Sequence, residues 1–151
     1  MNKDKKRKTL IYTGLGFPIR LINAPMRKVY GKWAFDFSMG LFQEVVLHML
    51  ATKPSPLTGP ELRFIIDYFE LSYRDFAKLL GVSHAAVVKW EKEKSKMNPN
   101  TEVSLRLYIL NYLKVSDQEF RKRYLELSKQ NLSNAEREKT PLDIDLDKTA
   151  C

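Results

Sequence analysis

The sequence predicts a mainly helical α+β chain: a small antiparallel β unit with one helix over residues 9–54, then a five-helix domain over residues 55–130. Three observations carry this. Short β-type runs separated by Gly, Pro and Asn fill the stretch before Ser38. From Leu41 onward apolar residues recur at intervals of three and four, the helical period. Residues with capping hydroxyls or amides stand ahead of each periodic segment.

The elements follow in order. Leu10-Ile11-Tyr12 and Phe17–Ile22 flank Thr13–Gly16, with a second break expected at Asn23-Ala24-Pro25. Arg27–Tyr30 and Trp33–Phe37 flank Gly31-Lys32, the pattern of a tight hairpin. Gly14 and Gly16 read as turn glycines, because neither a helix start nor a phosphate-loop lysine follows them. Ser38 caps a helix to about Ala51, with Leu41, Phe42, Val45, Val46, Met49 and Leu50 on one stripe. His48 falls outside that stripe and reads as a surface residue rather than a metal ligand. Lys53-Pro54-Ser55-Pro56 reads as a linker.

Thr58-Gly59-Pro60-Glu61 is a capping box for a helix burying Leu62, Ile65, Ile66 and Phe69. Ser72 starts the next helix, which buries Phe76, Leu79 and Leu80 and stops at Gly81. Ser83 starts the third. A fourth begins near Asn100, and Ser116–Glu119 is a second capping box opening a fifth through about Gln130. Residues 131–151 lose periodicity and read as a disordered acidic tail, although Leu142, Ile144 and Leu146 alternate with aspartates in a way that suits strand addition to a partner's edge.

The net charge of +8 is uneven. Residues 1–54 hold ten Lys/Arg against three Asp/Glu, residues 55–114 nine against seven, and residues 115–151 seven against eight. Basic excess at the N-terminus suits polyanions, and residues 1–8 read as a flexible basic arm. The only cysteine is Cys151, so no intrachain disulfide forms and no thiolate metal cluster is expected. No apolar run approaches the roughly 18 residues of a membrane span, and a cytoplasmic protein is expected by default. The chain holds only His48 and His84, and no Ser-His-Asp set, HExxH or paired carboxylates stand out, so an enzyme is not expected. Neither is a cofactor.

Ser72, Ala77, Gly81-Val82-Ser83, Val87, Trp90-Glu91 and Arg106 together resemble the Xre-type, lambda-repressor-like helix-turn-helix family over residues 58–113. Gly16–Leu21 and Leu57–Phe64 extend the similarity to antitoxins of the MqsA and HigA type, in which a small β-containing module comes first. The zinc module of that family uses paired cysteines. This chain has none there, so zinc is not expected.

The resemblance implies a DNA-binding transcriptional regulator, a homodimer on a palindromic operator, and within that class an antitoxin repressing its own operon. A cognate toxin would meet the β unit and the Ser38–Ala51 helix. Dimerisation is expected through the fourth and fifth helices. On the helix begun by Ser83, a core-facing side of Ala86, Val87 and Trp90 leaves His84, Ala85, Val88 and Lys89 to read bases. Ser72, Tyr73, Arg74, Lys78, Ser83, Lys92, Lys94 and Lys96 are the expected backbone contacts. Glu91 reads as a structural polar anchor. Glu93 stands where the family carries glycine, so the reading helix is expected to run on. The alternative is a protein-interaction scaffold or toxin-neutralising module whose helix-turn-helix has lost base reading, a reading that Ala85-Ala86-Val87-Val88 favours.

Overall fold

The structure is a computed structural model that describes residues 3–129 and 142–148. It is mixed α/β, with six helices and one four-stranded sheet among the described residues. Two compact units divide it: residues up to Val46 with 142–148, and the helical residues from Leu47. The boundary falls inside a helix, eight residues ahead of the 54/55 division expected from the prolines.

In the first unit, β1 (Lys5–Tyr12) pairs antiparallel with β2 (Ile19–Val29), which pairs antiparallel with β3 (Lys32–Phe35). Tyr30 and Gly31 join β2 to β3 with φ of +50° and +76°. Two positive φ angles give the turn the twist that a two-residue hairpin needs. The break expected at Asn23-Ala24-Pro25 does not end the strand. Asn23 takes φ +56°, the register with β1 shifts between Lys8 and Leu10, and β2 continues through Pro25 to Val29. A bulge of this kind bends a strand and re-aims it without terminating it.

Two terminal expectations are corrected. Lys5–Lys8 belong to β1, opposite Ala24–Arg27, so this part of the basic arm is held by a ladder. Residues 142–145 of the acidic tail form β4 (Leu142–Asp145), parallel to β2 from Ile19 to Ile22. The strand addition suggested by the aspartate–apolar alternation is thus made within the chain itself. Ile144 and Leu146 are buried, while Asp143 meets Arg20 through two bonds of 2.9 and 2.7 Å and Asp147 meets Arg7 at 2.7 Å. The physical reason is complementarity: one face of the alternation supplies the core, the other meets arginines. The rest of the tail, 130–141 and 149–151, lies outside the described residues, as does the expected helix end at Gln130. Buried Ile19, Leu21, Ala24, Met26, Phe42 and Val46 complete this core, with Tyr12, Phe35, Phe37 and Phe42 in edge-on and tilted ring contacts.

The helix α1 (Met39–Thr52) crosses the boundary, and the helical unit continues with α2 (Gly59–Tyr68), α3 (Tyr73–Leu80), α4 (His84–Glu91), α5 (Pro99–Tyr112) and α6 (Asp117–Lys129). The capping box of α2 is complete: Thr58 Oγ1 accepts from the Glu61 amide, and the Glu61 carboxylate accepts from the Thr58 amide at 2.9 Å. Ser116 Oγ accepts from the Glu119 amide at 3.1 Å, and the Glu119 carboxylate reaches His48 Nε2 at 3.1 Å, so His48 has a partner that its own helix does not supply.

The segment expected to be a linker is pinned. Arg106 is wholly buried and donates to the carbonyls of Lys53 and Ser55. Glu102 accepts from the Leu57 amide at 2.8 Å and lies 3.5 Å from the guanidinium, and Lys53 pairs with Glu61 at 2.7 Å. Burial pushes the Arg106 pKa down, opposed by the neighbouring Glu102 and Glu61. The prolines of 53–57 end α1 as expected, but hydrogen bonds to Arg106 and Glu102 then tie the connection to α5, and the Lys53–Glu61 ion pair ties it to α2.

Candidate nucleic-acid interface

The two short helices α3 and α4 are each opened by serine. Ser72 Oγ accepts from the Asp75 amide and Ser83 Oγ from the Ala86 amide, both at 3.1 Å. Between them Gly81 takes φ +68°, its amide bonds to Lys78, and the Val82 amide bonds to the Ala77 carbonyl. That 6→1 and 5→2 pair of bonds satisfies the last carbonyls of α3 and turns the chain sharply. Phe76, Ala77, Val87 and Trp90 are buried and hold the two helices on one core.

His84, Ala85 and Lys89 are exposed on α4, Val88 is half-buried, and Ala86, expected toward the core, is also half-buried. Arg74 and Lys78 are exposed on α3, and Lys92, Lys94 and Lys96 are exposed beyond α4. Ser72 and Ser83 spend their hydroxyl acceptors on helix caps.

Two expectations are revised. Tyr73 was expected to offer its hydroxyl to phosphate. Instead that hydroxyl donates to the Glu91 carboxylate and accepts from Arg63, whose guanidinium also bonds Asp67 at 3.1 Å. Burial, then the bond to Glu91, pushes the Tyr73 pKa up. The Arg63 guanidinium is held further above its usual value by Asp67 and Tyr73. Glu91 is therefore a structural anchor tying α4 to α3 and, through Arg63, to α2. The sequence offered no signal for Arg63, which stands ten residues before Tyr73 on another helix.

The second revision concerns Glu93. The helix does not run on: α4 ends at Glu91, Glu93 takes φ +58°, and the amides of Glu93 and Lys94 bond back to Trp90 and Lys89. Glu93 occupies the left-handed position that glycine takes more cheaply, and its carboxylate accepts from the Gly59 amide at 2.9 Å. That non-local bond, together with the terminating bonds, favours the strained conformation.

The resulting surface is a short helix with an exposed cation, an exposed imidazole and two apolar side chains, flanked by lysines and arginine. Among the described residues no group of three or more His, Cys, Asp or Glu is placed to hold a metal ion, and no helix is long and apolar enough to cross a membrane. Comparison with protein-family models, with characterised proteins and with solved structures returned no match.

Proposed function

We propose that the chain is a sequence-specific DNA-binding transcriptional regulator of the lambda-repressor-like helix-turn-helix class, working as a homodimer on a palindromic operator. The observation that carries this reading is the α3–α4 pair, with both serine caps, the left-handed Gly81 and a shared core that leaves His84, Ala85 and Lys89 outward. A helix presented this way enters the major groove, where Lys89 reaches guanine acceptors and His84 donates to a base or phosphate. Ala85 and Val88 offer thymine methyl contacts only, so dimerisation and DNA shape supply the remaining discrimination. Within this class we favour an antitoxin that represses its own operon, its toxin meeting the β unit and the start of α1.

A scaffold reading has one specific observation behind it. Tyr73 is engaged with Glu91 and Arg63, which removes one phosphate contact from the reading surface. Binding of the purified chain to its own upstream DNA, measured at two salt concentrations against an unrelated duplex, tests the two. The regulator reading expects preference for the upstream DNA at both salts; equal affinity for both duplexes overturns it.

A further inference from the structure

The end of the sheet away from β4 carries a concentration of cations on both of its faces. Lys6 Nζ lies 4.1 Å and Lys28 Nζ 5.4 Å from the centroid of Trp33, so these three share a face. Lys5 and Lys32 are the sequence neighbours of Lys6 and Trp33 and point to the opposite face, because successive strand residues alternate. All four lysines are exposed, and Tyr30 stands fully exposed at the apex between Lys28 and Lys32. The sheet's arginines are engaged with acids: Arg7 with Asp147, Arg20 with Asp143 and Arg27 with Asp36.

We infer that this sheet end is a second polyanion site, whose partner is the pair of phosphate backbones lining a groove of double-stranded DNA. The β2–β3 hairpin is a two-stranded ribbon of the kind a major groove admits, with Lys5 and Lys6 beside it on β1, and the groove walls present phosphates to both sides of whatever enters. Cations on both faces match that geometry. A flat anionic surface such as a membrane would engage only one face. Lysines on edge strands also deter edge-to-edge pairing, which accounts for Lys5 and Lys6 on β1 and Lys32 on β3. Lys28 is outside that account: it lies on β2, paired with Trp33 on one side and bonded through its amide to the Asp4 carbonyl on the other. The site extends the DNA-binding reading to a surface which that reading does not use, and it stands or falls separately.

The test is the salt dependence of binding of the full chain to a duplex of unrelated sequence and to its upstream DNA. Each neutralised phosphate contributes about 0.9 to the slope of log K against log salt. The pairs K5Q/K6Q and K28Q/K32Q should therefore each flatten that slope by about 2, and weaken binding to both duplexes by the same factor. K28R/K32R should keep the wild-type slope, which separates charge from any effect on folding. H84A/K89A should change the ratio between the duplexes instead. Wild-type binding without sequence preference, but with a slope that the lysine pairs flatten, would sink the base-reading proposal and support this one. Unchanged slopes in both Gln pairs overturn it. So does a loss confined to single-stranded RNA or to phosphatidylserine-containing vesicles.

Discussion

Gly59 and Glu93 join the start of α2 to the end of α4. The Gly59 amide donates to the Glu93 carboxylate at 2.9 Å, which brings a negative charge to a helix N-terminus. The approach is close enough that a Cβ on Gly59 would lie 2.1 Å from the Glu91 carbonyl oxygen. A glycine in a first helical turn is ordinarily improved by alanine, by about 0.4–1 kcal/mol. Here the obstacle is backbone, which cannot swing aside, and overpacking of this kind costs about 1–3 kcal/mol. Gly59→Ala is therefore expected to destabilise, read as a lower urea midpoint at unchanged m-value.

Arg106 gives a second expectation. Its replacement by methionine keeps much of the volume but leaves Glu102 buried without its cation and two carbonyls without a donor. Breaking one partner out of a buried pair costs about 3–5 kcal/mol. Arg106→Met should show a loss of that size in chemical denaturation. The double variant Arg106→Met/Glu102→Gln should recover part of it.

Lys114 predicts the opposite sign. It takes φ +55° after α5, where its amide and that of Val115 bond back to Asn111 and Leu110. The left-handed region costs a non-glycine residue about 1–2 kcal/mol, and glycine's extra chain entropy returns about 0.5–1 of that. Lys114→Gly should stabilise by about 0.5–1 kcal/mol, seen as a raised thermal midpoint. A lowered midpoint would contradict this account of the helix end.

Tyr73 supplies a pH dependence. Its pKa is raised in the folded chain, first by burial and then by the bond to Glu91. The folded state therefore holds the phenolic proton more tightly than the unfolded state, whose pKa is about 10. The associated stability is present below pH of about 10 and is lost as pH rises through the folded pKa. Urea midpoints measured from pH 8 upward should fall more steeply for the wild-type chain than for Tyr73→Phe. Parallel curves would show that Tyr73 does not carry this titration.

If α4 reads bases as proposed, Lys89→Ala is expected to reduce discrimination between the upstream and unrelated duplexes by about 1–3 kcal/mol, the worth of one good base contact. His84→Ala should have a smaller effect, since a single imidazole donor makes no bidentate contact. Competition binding at fixed salt measures both.

The helix starts were legible because each is settled within four residues. Thr58 with Glu61, Ser72 with Asp75 and Ser83 with Ala86 make their capping bonds to close neighbours, so those residue types at that spacing are sufficient. Gly81 was legible for the same reason: its left-handed φ is a property of one residue. The exposure of His84, Ala85 and Lys89 followed from helical periodicity once Ser83 marked the start.

What tertiary structure decided is everything whose partner is distant in sequence. Lys5–Lys8 look like a solvated arm until Ala24–Arg27 provide a ladder, and the aspartate–apolar alternation near the C-terminus has no visible partner until β2 and Arg20 lie beside it. Nothing near Tyr73 in sequence marks its hydroxyl as occupied, and only the approach of Arg63 and Glu91 engages it. Glu93 breaks the helix against its own propensity, with Gly59 and the backbone bonds of the terminus as its partners. By itself the sequence determined the order of most elements and the outward face of α4. The close of the sheet, the ends held by Glu93 and Arg106, and the occupied state of Tyr73 arose from long-range contacts. Those contacts form only when separate segments are brought together, so no local pattern encodes them.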